Sequence, residues 1–537
     1  MRKSIFILLI LQSILGQAQL DCKFRIWLKD KNGSPYSLNK PNEFLSTKAL
    51  ARRSRQNIPL DSTDIPVSPI YLSQLSGMGL QVITTSRWMN TAVVALTDSS
   101  LMIGVRKLPF VKSAELVWEA QPAPIKSPKL RNETSSAESL IASGNGEYGS
   151  ALPQLSISNG NKLHQAGFKG EGMTIAIIDA GFLHADTISA YKHTKILGAK
   201  DFVNPAINVY SGDKHGQSVL SVMAAVDSFR YIGSAPKASY WLLRSEDNDS
   251  EFPIEEDYWT AAAEFADSVG VDLINTSLGY AVFDNSKLDH THAQLDGKTI
   301  FVSKAAQMAT DKGIFVVVSA GNEGNKSWQK INAPSDAKDV LAVGAININL
   351  QIAAFSSLGF SADNRVKPDV VSVGEGTYLL DPLGNIIASN GTSFSAPLMT
   401  GMVACLWQGL PNFTNKQLID LIRSQSNFYT QPDVRYGYGV PDLWMAWITA
   451  TNQIANHELE KPEIFFNSKR GNSLSIRNLP SKDSLYTIRI YTETGRLVLT
   501  DKMDSKEHAC DTRNLRRGLH IVYIESQNYR YAKKIIK

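Results

Sequence analysis

The 537-residue chain contains only three cysteines, Cys22, Cys405 and Cys510. Cys405 lies in an apolar segment and the other two lie in different predicted domains, so the sequence predicts no disulfide framework. The 55 basic and 51 acidic side chains leave a net charge of +4, which is too small to indicate a nucleic-acid or anionic-membrane partner. Beyond the N-terminus no segment approaches the roughly 18 consecutive apolar residues of a membrane helix, so the mature protein is expected to be soluble, without a membrane span.

What the chain does have is the composition of an ordinary globular protein. Hydrophobic residues make up 43% of it and charged residues 20%. These fractions exclude a disordered class. The chain is long for one domain, and its length predicts about three or four.

The first residues have the three parts of a secretory signal. Arg2 and Lys3 supply the positive charge, residues 5–15 are apolar, and residues 16–18 form a small-residue cleavage site. The apolar part is too short to cross a bilayer. We therefore predict a signal peptide over residues 1–18.

Gly391, Thr392 and Ser393 form a small-residue turn before an apolar run. In that run apolar residues recur at steps of three and four, typical of a buried helix, at Ala396, Met399, Met402, Val403, Leu406 and Trp407. Ser393 is thus predicted at a helix N-terminus, where unpaired backbone amides favour a developing negative charge. Taken alone, a serine in this place is more often a helix cap.

An aspartate and a histidine stand at the ends of other predicted elements. Asp179 ends a buried strand in the TIAIIDAGF segment, and His215 opens a helix in the DKHGQSVLSVMAA segment. Each alone has a structural explanation, since an aspartate often caps a turn and a lone histidine is usually structural. Asp, His and Ser in this order along one chain is a known order of a catalytic triad.

Together the three motifs resemble those of the subtilisin-like serine proteases, the subtilases. The resemblance implies Ser393 as nucleophile, His215 as general base and then general acid, and Asp179 as the carboxylate that orients the imidazole. It also implies an oxyanion hole formed by the backbone amide of Ser393 and the side-chain amide of Asn322, in the SAGNEG segment. A simple turn is the alternative for that segment.

The resemblance also assigns substrate binding to the NTSLGY segment. Ser277, Leu278 and Gly279 would line the first specificity pocket, and the segment would pair with the substrate backbone as an added strand. Two positions depart from the family pattern: Ala180 stands where serine or threonine is common, and Gln217 replaces the threonine of His-Gly-Thr. Neither change removes a catalytic group, and both indicate a divergent branch.

Residues 148–455 are predicted to be an α/β catalytic domain with a doubly wound parallel sheet. Short apolar strands such as MTIAIID and GIFVVVSAG alternate with helical segments such as 258–269 and 300–312. Strands without polar alternation are buried on both faces, as in a parallel sheet. Side chains just past such strands, among them Asp179 and Asn322, are expected to meet at one edge.

Residues 19–120 have no catalytic motif, but their pattern predicts the order β-α-β-β-α-β of a ferredoxin-like α+β sandwich. This is similar to the propeptide that assists folding of subtilases and then inhibits them. An unrelated α+β module is the alternative. Residues 121–147 are rich in Pro, Ser, Ala and Asn and predict an exposed linker that contains the activation cleavage.

Residues 456–537 predict a small antiparallel β-sandwich. Alternating runs such as LYTIRIYT and LHIVYIES are separated by turn signals. The pattern and position resemble the C-terminal sorting domain of the type IX secretion system. A binding or capping β-module is the alternative.

The resemblance requires no cofactor. Many subtilases bind calcium in a loop after the histidine, but residues 226–233 offer only Asp227 and Ser228 as side-chain oxygen ligands. A calcium site needs about six to eight oxygens. No metal site is predicted there, and none is assigned elsewhere.

Residues 246–257 contain seven acids, Glu246, Asp247, Asp249, Glu251, Glu255, Glu256 and Asp257. We expect a solvated loop followed by the acid-rich first turn of a helix, which the helix dipole favours. The alternative is that some of these acids attract basic substrate residues.

The expected function is that of a secreted serine endopeptidase, made as an inhibited precursor and exported through the periplasm to the cell surface or medium. Its partners would be protein or peptide substrates, its own propeptide and the type IX secretion machinery, with no nucleic acid. The competing hypothesis is a catalytically silent subtilase fold that serves as a surface binding or adhesion module. The presence of Asp179, His215, Ser393 and Asn322 favours the enzyme.

Overall fold

The computed structural model describes residues 22–120, 135–136, 146–457, 462–467, 473–477, 479, 485–503, 507–526 and 529–537. The predicted signal peptide and most of the predicted linker lie outside these residues. Within them the chain forms three successive units with buried apolar cores. The domain ends given above stay predictions.

The first unit is an antiparallel sheet with helices, and it has the predicted β-α-β-β-α-β order with one additional helix, Thr47–Arg55, after the first strand. Its strands are β1 (Cys22–Leu28), β2 (Gln81–Ser86), β3 (Thr91–Leu96) and β4 (Val111–Glu119). They are hydrogen-bonded in the order β2-β3-β1-β4. Its helices are α1 (Thr47–Arg55), α2 (Pro69–Gly77) and α3 (Met102–Val105). Before α3 the side chain of Asp98 caps a 3-10 turn, Ser99–Leu101.

The apolar pattern does not predict α1. Its sequence, TKALARRSR, has almost no apolar face, yet Arg52 and Arg53 are buried. Both side chains pair with Asp267, which lies more than two hundred residues later in the chain. The helix is therefore stabilised by a long-range ionic contact, which local periodicity does not reveal.

The second unit is the predicted doubly wound α/β fold. Its strands are β6 (Thr174–Asp179), β7 (Lys195–Asp201), β8 (Val226–Asp227), β9 (Tyr231–Ile232), β10 (Ser239–Arg244), β11 (Leu273–Thr276), β12 (Phe315–Ser319), β13 (Leu341–Ile346), β14 (Val370–Val373), β15 (Thr377–Leu380) and β16 (Ile386–Ser389). Its helices are α4 (Leu152–Ile157), α5 (Gly160–Gln165), α6 (His215–Ala224), α7 (Ile254–Val269), α8 (Phe301–Asp311), α9 (Thr392–Gly409), α10 (Asn415–Ser424) and α11 (Leu443–His457). Seven strands form a parallel sheet in the order β14-β13-β12-β11-β6-β10-β7.

The parallel sheet is covered on both faces, which explains its wholly apolar strands. In β6, Ile175 and Ile177 belong to the core cluster that contains α6 and α9. Their neighbours Ala176 and Ile178 belong to the cluster that contains α7 and α8. The burial of both faces leaves the strand ends as the place for polar side chains.

Part of the predicted linker pairs with the catalytic unit. Strand β5 (Ser135–Ser136) is antiparallel to β16, with Ser135 opposite Ser389 and Ser136 opposite Ala388. β16 leads directly into the turn before α9. Ser135 is therefore next to the segment that ends at Ser393.

The third unit is the predicted antiparallel β-sandwich. One sheet contains β17 (Glu463–Asn467), β18 (Ser473–Arg477) and β21 (Glu507–Asp511). The other has the order β20-β19-β22-β23, with β19 (Tyr486–Thr492), β20 (Leu497–Met503), β22 (Leu519–Glu525) and β23 (Arg530–Ile536). The second sheet packs on α11: the rings of Trp444 and Tyr491 lie 6.1 Å apart, and those of Trp447 and Tyr523 lie 4.9 Å apart.

The first unit packs on α7 and α8 through charged contacts. Arg25 of β1 donates to both carboxylate oxygens of Asp257, at 2.8 and 2.6 Å, and lies over the ring of Phe301. Burial opposes the charge on Arg25, but the carboxylates of Asp257, Glu256 and Glu115 outweigh it and raise the pKa of the guanidinium. Arg25 is therefore a charged anchor between the two units.

In the part of the chain that the structure describes, no helix is long and apolar enough to cross a membrane. Cys22, Cys405 and Cys510 are buried in the first, second and third units respectively. No disulfide joins these three residues, all of which are described.

Candidate active site

Asp179 and His215 meet at the carboxyl end of the parallel sheet. Asp179 is the last residue of β6, and His215 is the first residue of α6. Nδ1 of His215 lies 2.5 Å from Oδ1 of Asp179, which also accepts the amide of Ala180 at 2.7 Å. Both side chains are buried. The hydrogen bond fixes the imidazole ring and places its second nitrogen, Nε2, on the side away from Asp179.

A glycine permits this approach of helix to strand. A Cβ on Gly216 would lie 2.5 Å from the carbonyl oxygen of Gly181 and 2.9 Å from Cβ of Asp179. Such contacts are too short for any other residue without movement of the backbone. Gly216 thus allows α6 to begin directly beside Asp179.

Ser393 lies in the first turn of α9. The amides of a first helical turn have no partner within the helix, and the dipole makes this end positive. The next residue, Phe394, has its ring centroid 6.4 Å from that of His215. The fold therefore brings the serine, histidine and aspartate motifs to the same edge of the sheet.

Asn322 follows β12 and faces the same turn. Its Oδ1 accepts the backbone amide of Thr392 at 2.9 Å and the Thr392 hydroxyl at 2.8 Å. Because both bonds go to the oxygen, the carboxamide NH₂ group points away from them. Asn322 is thus held by the residue that directly precedes Ser393.

The predicted substrate-binding segment also contacts Ser393. Oγ of Ser277 donates to the carbonyl of Ser393 at 2.8 Å, and Oγ of Ser393 lies 3.5 Å from the carbonyl oxygen of Ser277. Asn275 links the substrate-binding segment to α9. Its Nδ2 donates to Ser277 Oγ at 3.3 Å, and its Oδ1 accepts from the hydroxyl of Thr400 at 2.8 Å. The motif quoted for substrate binding contained Asn275, but its positioning contact with α9 depends on the fold.

Comparisons with known proteins agree with this geometry. Residues 170–439, half of the chain, match the subtilase family (peptidase S8). The chain belongs to the subtilase family. Residues 23–136 match the peptidase S8 propeptide domain of Bacteroidota, and residues 472–537 match a secretion system C-terminal sorting domain.

Sequence relatives and a solved structure are also similar to this chain. The subtilase is 29% identical to subtilisin NAT of Bacillus subtilis subsp. natto over 304 residues, 56% of this chain and 72% of that one. It is 29% identical to subtilisin of Bacillus pumilus over 287 residues, 53% of this chain and 94% of that one. The epidermin leader peptide processing serine protease of Staphylococcus aureus has the same fold, with a TM-score of 0.56 and 16% identity over 81% of this chain and 99% of that one.

The predicted family, fold class and enzyme class are therefore confirmed: the protein is a subtilisin-like serine endopeptidase. It has a propeptide domain before the catalytic domain and a type IX sorting domain after it.

The two departures from the family pattern leave the catalytic groups in place. Ala180 is buried, its amide donates to Asp179, and its carbonyl accepts Nε of Arg244 at 3.1 Å. Nε2 of Gln217 lies 3.1 Å from both the Tyr191 hydroxyl and the Leu380 carbonyl, away from the imidazole. Both positions serve packing around the site.

A pocket opens beside Ser393 in this subtilase. The predicted residues Ser277, Leu278 and Gly279 line one part of it, and Asn322 lines another. Among the further residues that line it, and that the sequence analysis did not assign to the pocket, are Glu246, Glu251 and Asn332.

The expectation of a solvated acidic loop is wrong for most of residues 246–257. Five of the seven acids are buried, Glu246, Glu251, Glu255, Glu256 and Asp257. Three of the acids, Glu255, Glu256 and Asp257, lie in the first turn of α7, as predicted. Their partners are protein groups and not solvent. Glu255 accepts the amide of Asp247 at 2.7 Å, and Glu256 lies 2.5 Å from Nε2 of His290. The propeptide domain covers part of this segment, through Arg25 on Asp257 and Trp118 on Phe252.

Among the described residues, no group of three or more His, Cys, Asp or Glu side chains is placed to hold a metal ion. Asp227, one of the two oxygen ligands considered for calcium, pairs with Arg230 at 2.8 Å. The expectation that the enzyme requires no cofactor stays a prediction.

Proposed function

We propose that the subtilase hydrolyses peptide bonds through an acyl-enzyme, with Ser393 as nucleophile, His215 as general base and acid, and Asp179 as its orienting carboxylate. The hydrogen bond between His215 Nδ1 and Asp179 carries this proposal, because it leaves Nε2 as the nitrogen that exchanges protons with Ser393. A surface adhesion module would have no use for a buried, oriented imidazole at a serine-bearing helix N-terminus.

Each step has a group in the site. Ser393 Oγ attacks the peptide carbonyl carbon while His215 Nε2 accepts its proton, and the carbonyl oxygen becomes negative. The NH₂ group of Asn322 and the amide of Ser393 stabilise that charge. His215 then protonates the leaving amine, and an acyl-Ser393 ester remains. Water attacks the ester with His215 again as base, which releases the second product.

We further propose that the propeptide domain inhibits the enzyme until its linker is cut. Three observations support this: the propeptide domain packs on α7 and α8, its Arg25 anchors to Asp257, and β5 of the linker pairs with the strand that leads to Ser393. The linker thus enters the neighbourhood of the nucleophile as a substrate of its own enzyme.

The sorting domain suggests export by the type IX machinery to the cell surface or the medium, after passage through the periplasm. Fusion of residues 456–537 to a reporter with a signal peptide tests this, because the reporter is expected to leave the periplasm only in a host with that machinery. A fusion that stays periplasmic in such a host would contradict the sorting role.

A fluorophosphonate probe tests the catalytic proposal. The processed wild-type protein is expected to be labelled and to cleave an unstructured protein, whereas Ser393→Ala is expected to do neither. A folded, processed wild-type protein that is neither labelled nor active would favour the adhesion module.

A further inference from the structure

The pocket beside Ser393 has an acidic lining. Glu246 and Glu251 are only 4% and 7% exposed and both line the cavity. Oε1 of Glu246 accepts the hydroxyl of Tyr280 at 2.6 Å, which holds its carboxyl group in place. The residues that line the cavity, all within the described chain, include no lysine, arginine or histidine. The described wall of the pocket is therefore acidic.

A second, independent feature of the pocket is the side chain of Asn332. Asn332 is 2% exposed and lines the cavity, and its Oδ1 has no hydrogen-bond partner among the described residues. A buried polar atom without a partner is rare in native proteins and indicates a missing donor. A bound ligand with an N–H group would supply that donor.

Two glycines hold Asn332 in this place. A Cβ on Gly279 would lie 2.8 Å from Cβ of Asn332, and a Cβ on Gly321 would lie 3.0 Å from its Nδ2. The carboxamide is thus closely flanked by the backbone of the substrate-binding segment and by the backbone before Asn322. The acceptor is fixed in the pocket that also contains Ser393 and Asn322.

We propose that this pocket binds the side chain of a lysine or arginine, and that the enzyme cleaves the peptide bond that follows this residue. Lysine and arginine side chains are donors without acceptors, and they match a lining of two carboxyl groups and one amide oxygen. An apolar side chain would offer no donor to Oδ1 of Asn332, a buried acceptor without a partner among the described residues. The assignment rests on the proposed role of Ser393, since the pocket is defined relative to that nucleophile.

Peptides that differ at one position test the proposal on the processed wild-type enzyme. The residue before the scissile bond is lysine, arginine, norleucine, citrulline, glutamate or phenylalanine in an otherwise constant peptide. Norleucine and citrulline lack the charge of lysine and arginine, so each loses a charge-assisted hydrogen bond. We expect kcat/KM to be roughly 10–100-fold lower for norleucine than for lysine, and lower by the same factor for citrulline than for arginine. Equal or higher values for norleucine, citrulline or phenylalanine would overturn the proposal, as would a basic preference confined to another position.

Charge-neutralising variants connect the preference to the pocket. Glu246→Gln and Glu251→Gln are each expected to lower the lysine-to-norleucine ratio of kcat/KM at least about fivefold, and the double variant more. The matched control is Asp249→Asn, an exposed acid in the same segment, which is expected to leave the ratio unchanged. An unchanged ratio in the folded double variant would remove these acids from recognition.

Labelling of Ser393 separates this proposal from the catalytic one. A labelled enzyme that cleaves after neutral residues contradicts only the pocket assignment. If no labelling occurs, binding of benzamidine to the wild-type protein still tests the pocket by calorimetry. Binding that weakens in Glu251→Gln but not in Asp249→Asn supports the pocket, and no binding at millimolar concentration contradicts it.

Discussion

Asn322 is oriented by Thr392, the residue directly before the serine that it is proposed to assist. Thr392 donates both its amide and its hydroxyl to Oδ1 of Asn322, at 2.9 and 2.8 Å. Thr392 Oγ1 also accepts the amide of Gly321 at 3.2 Å. One residue therefore ties the turn before α9 to the loop after β12, and leaves the NH₂ group of Asn322 for the substrate oxygen.

Asn322→Ala is expected to lower kcat while KM changes little. The NH₂ group meets the oxygen mainly when charge develops on it, so its loss affects the transition state more than the bound substrate. The expected size is the loss measured in subtilisin for such a donor, roughly 10²–10³-fold. Steady-state kinetics of the folded variant measure it, and a kcat within tenfold of wild type would remove Asn322 from the oxyanion hole.

Thr392→Val is expected to reduce kcat roughly 3–10-fold, since it removes one neutral hydrogen bond to Asn322 and keeps the backbone bond. The matched control is Thr392→Ser, which keeps the hydroxyl and is expected to restore most of the rate. If Thr392 acts only by positioning Asn322, Thr392→Val should have little further effect when Asn322 is already alanine. Additive losses in the double variant would contradict this coupling.

Ser393→Ala is expected to accumulate as a full-length precursor that lacks only its signal. In the wild-type protein the new N-terminus is expected to follow Lys126, Lys129 or Arg131, the three basic residues of the linker. Strand β5 of the linker pairs beside Ser393, and these three residues precede β5 in the sequence. N-terminal sequencing of both proteins, made in a host without other subtilases, measures this. A processed Ser393→Ala protein would show that another protease matures the enzyme.

Asp267→Asn is expected to weaken inhibition by the propeptide domain at least about 10²-fold. Asp267 of α7 accepts from Arg52, Arg53 and Arg87 of that domain, and removal of one partner of a buried ionic cluster costs about 3–5 kcal/mol. The measurement is the inhibition constant of residues 22–120 added to the processed enzyme. Asp420→Asn, an exposed acid on α10, is the control and is expected to have no effect.

The same contact predicts the pH dependence of inhibition. Burial raises the pKa of Asp267, but the three arginines outweigh burial and leave the pKa below its ordinary value. When the propeptide dissociates, the pKa of Asp267 rises again, so protonation of Asp267 favours dissociation. Inhibition is expected to be complete above about pH 4 and to weaken as pH falls further through the lowered pKa. Stronger inhibition in acid would contradict this sign.

Tyr523→Ala is expected to lower the free energy of unfolding by about 3–5 kcal/mol and to speed hydrogen exchange in α11. Its ring is buried and contacts Trp447, so truncation leaves a cavity between the sandwich and the catalytic domain. Leu497→Ala, at an exposed site of the same sheet, is the control and is expected to change stability by about 0.5 kcal/mol or less. Unchanged exchange in α11 would mean that the sorting domain does not stabilise the enzyme.

The sequence alone determined the elements and the order of the motifs. Buried strands, the capped start of α10 and the helix after Ser393 depend on local periodicity and turn chemistry, which neighbouring residues specify. The placement of Asp179 and Asn322 at one edge followed from the parallel sheet, because the carboxyl ends of its strands share that edge.

Tertiary structure alone decided the environment of the charges. Glu246 and Glu251 have the local pattern of a solvated loop, and α1 has few apolar residues and buries two arginines. Whether such charged side chains are exposed, paired or part of a pocket depends on residues far along the chain. Arg52 of α1 pairs with Asp267, and Glu246 and Glu251 share a pocket with Asn332. Charge burial is a long-range property, and local sequence does not contain it.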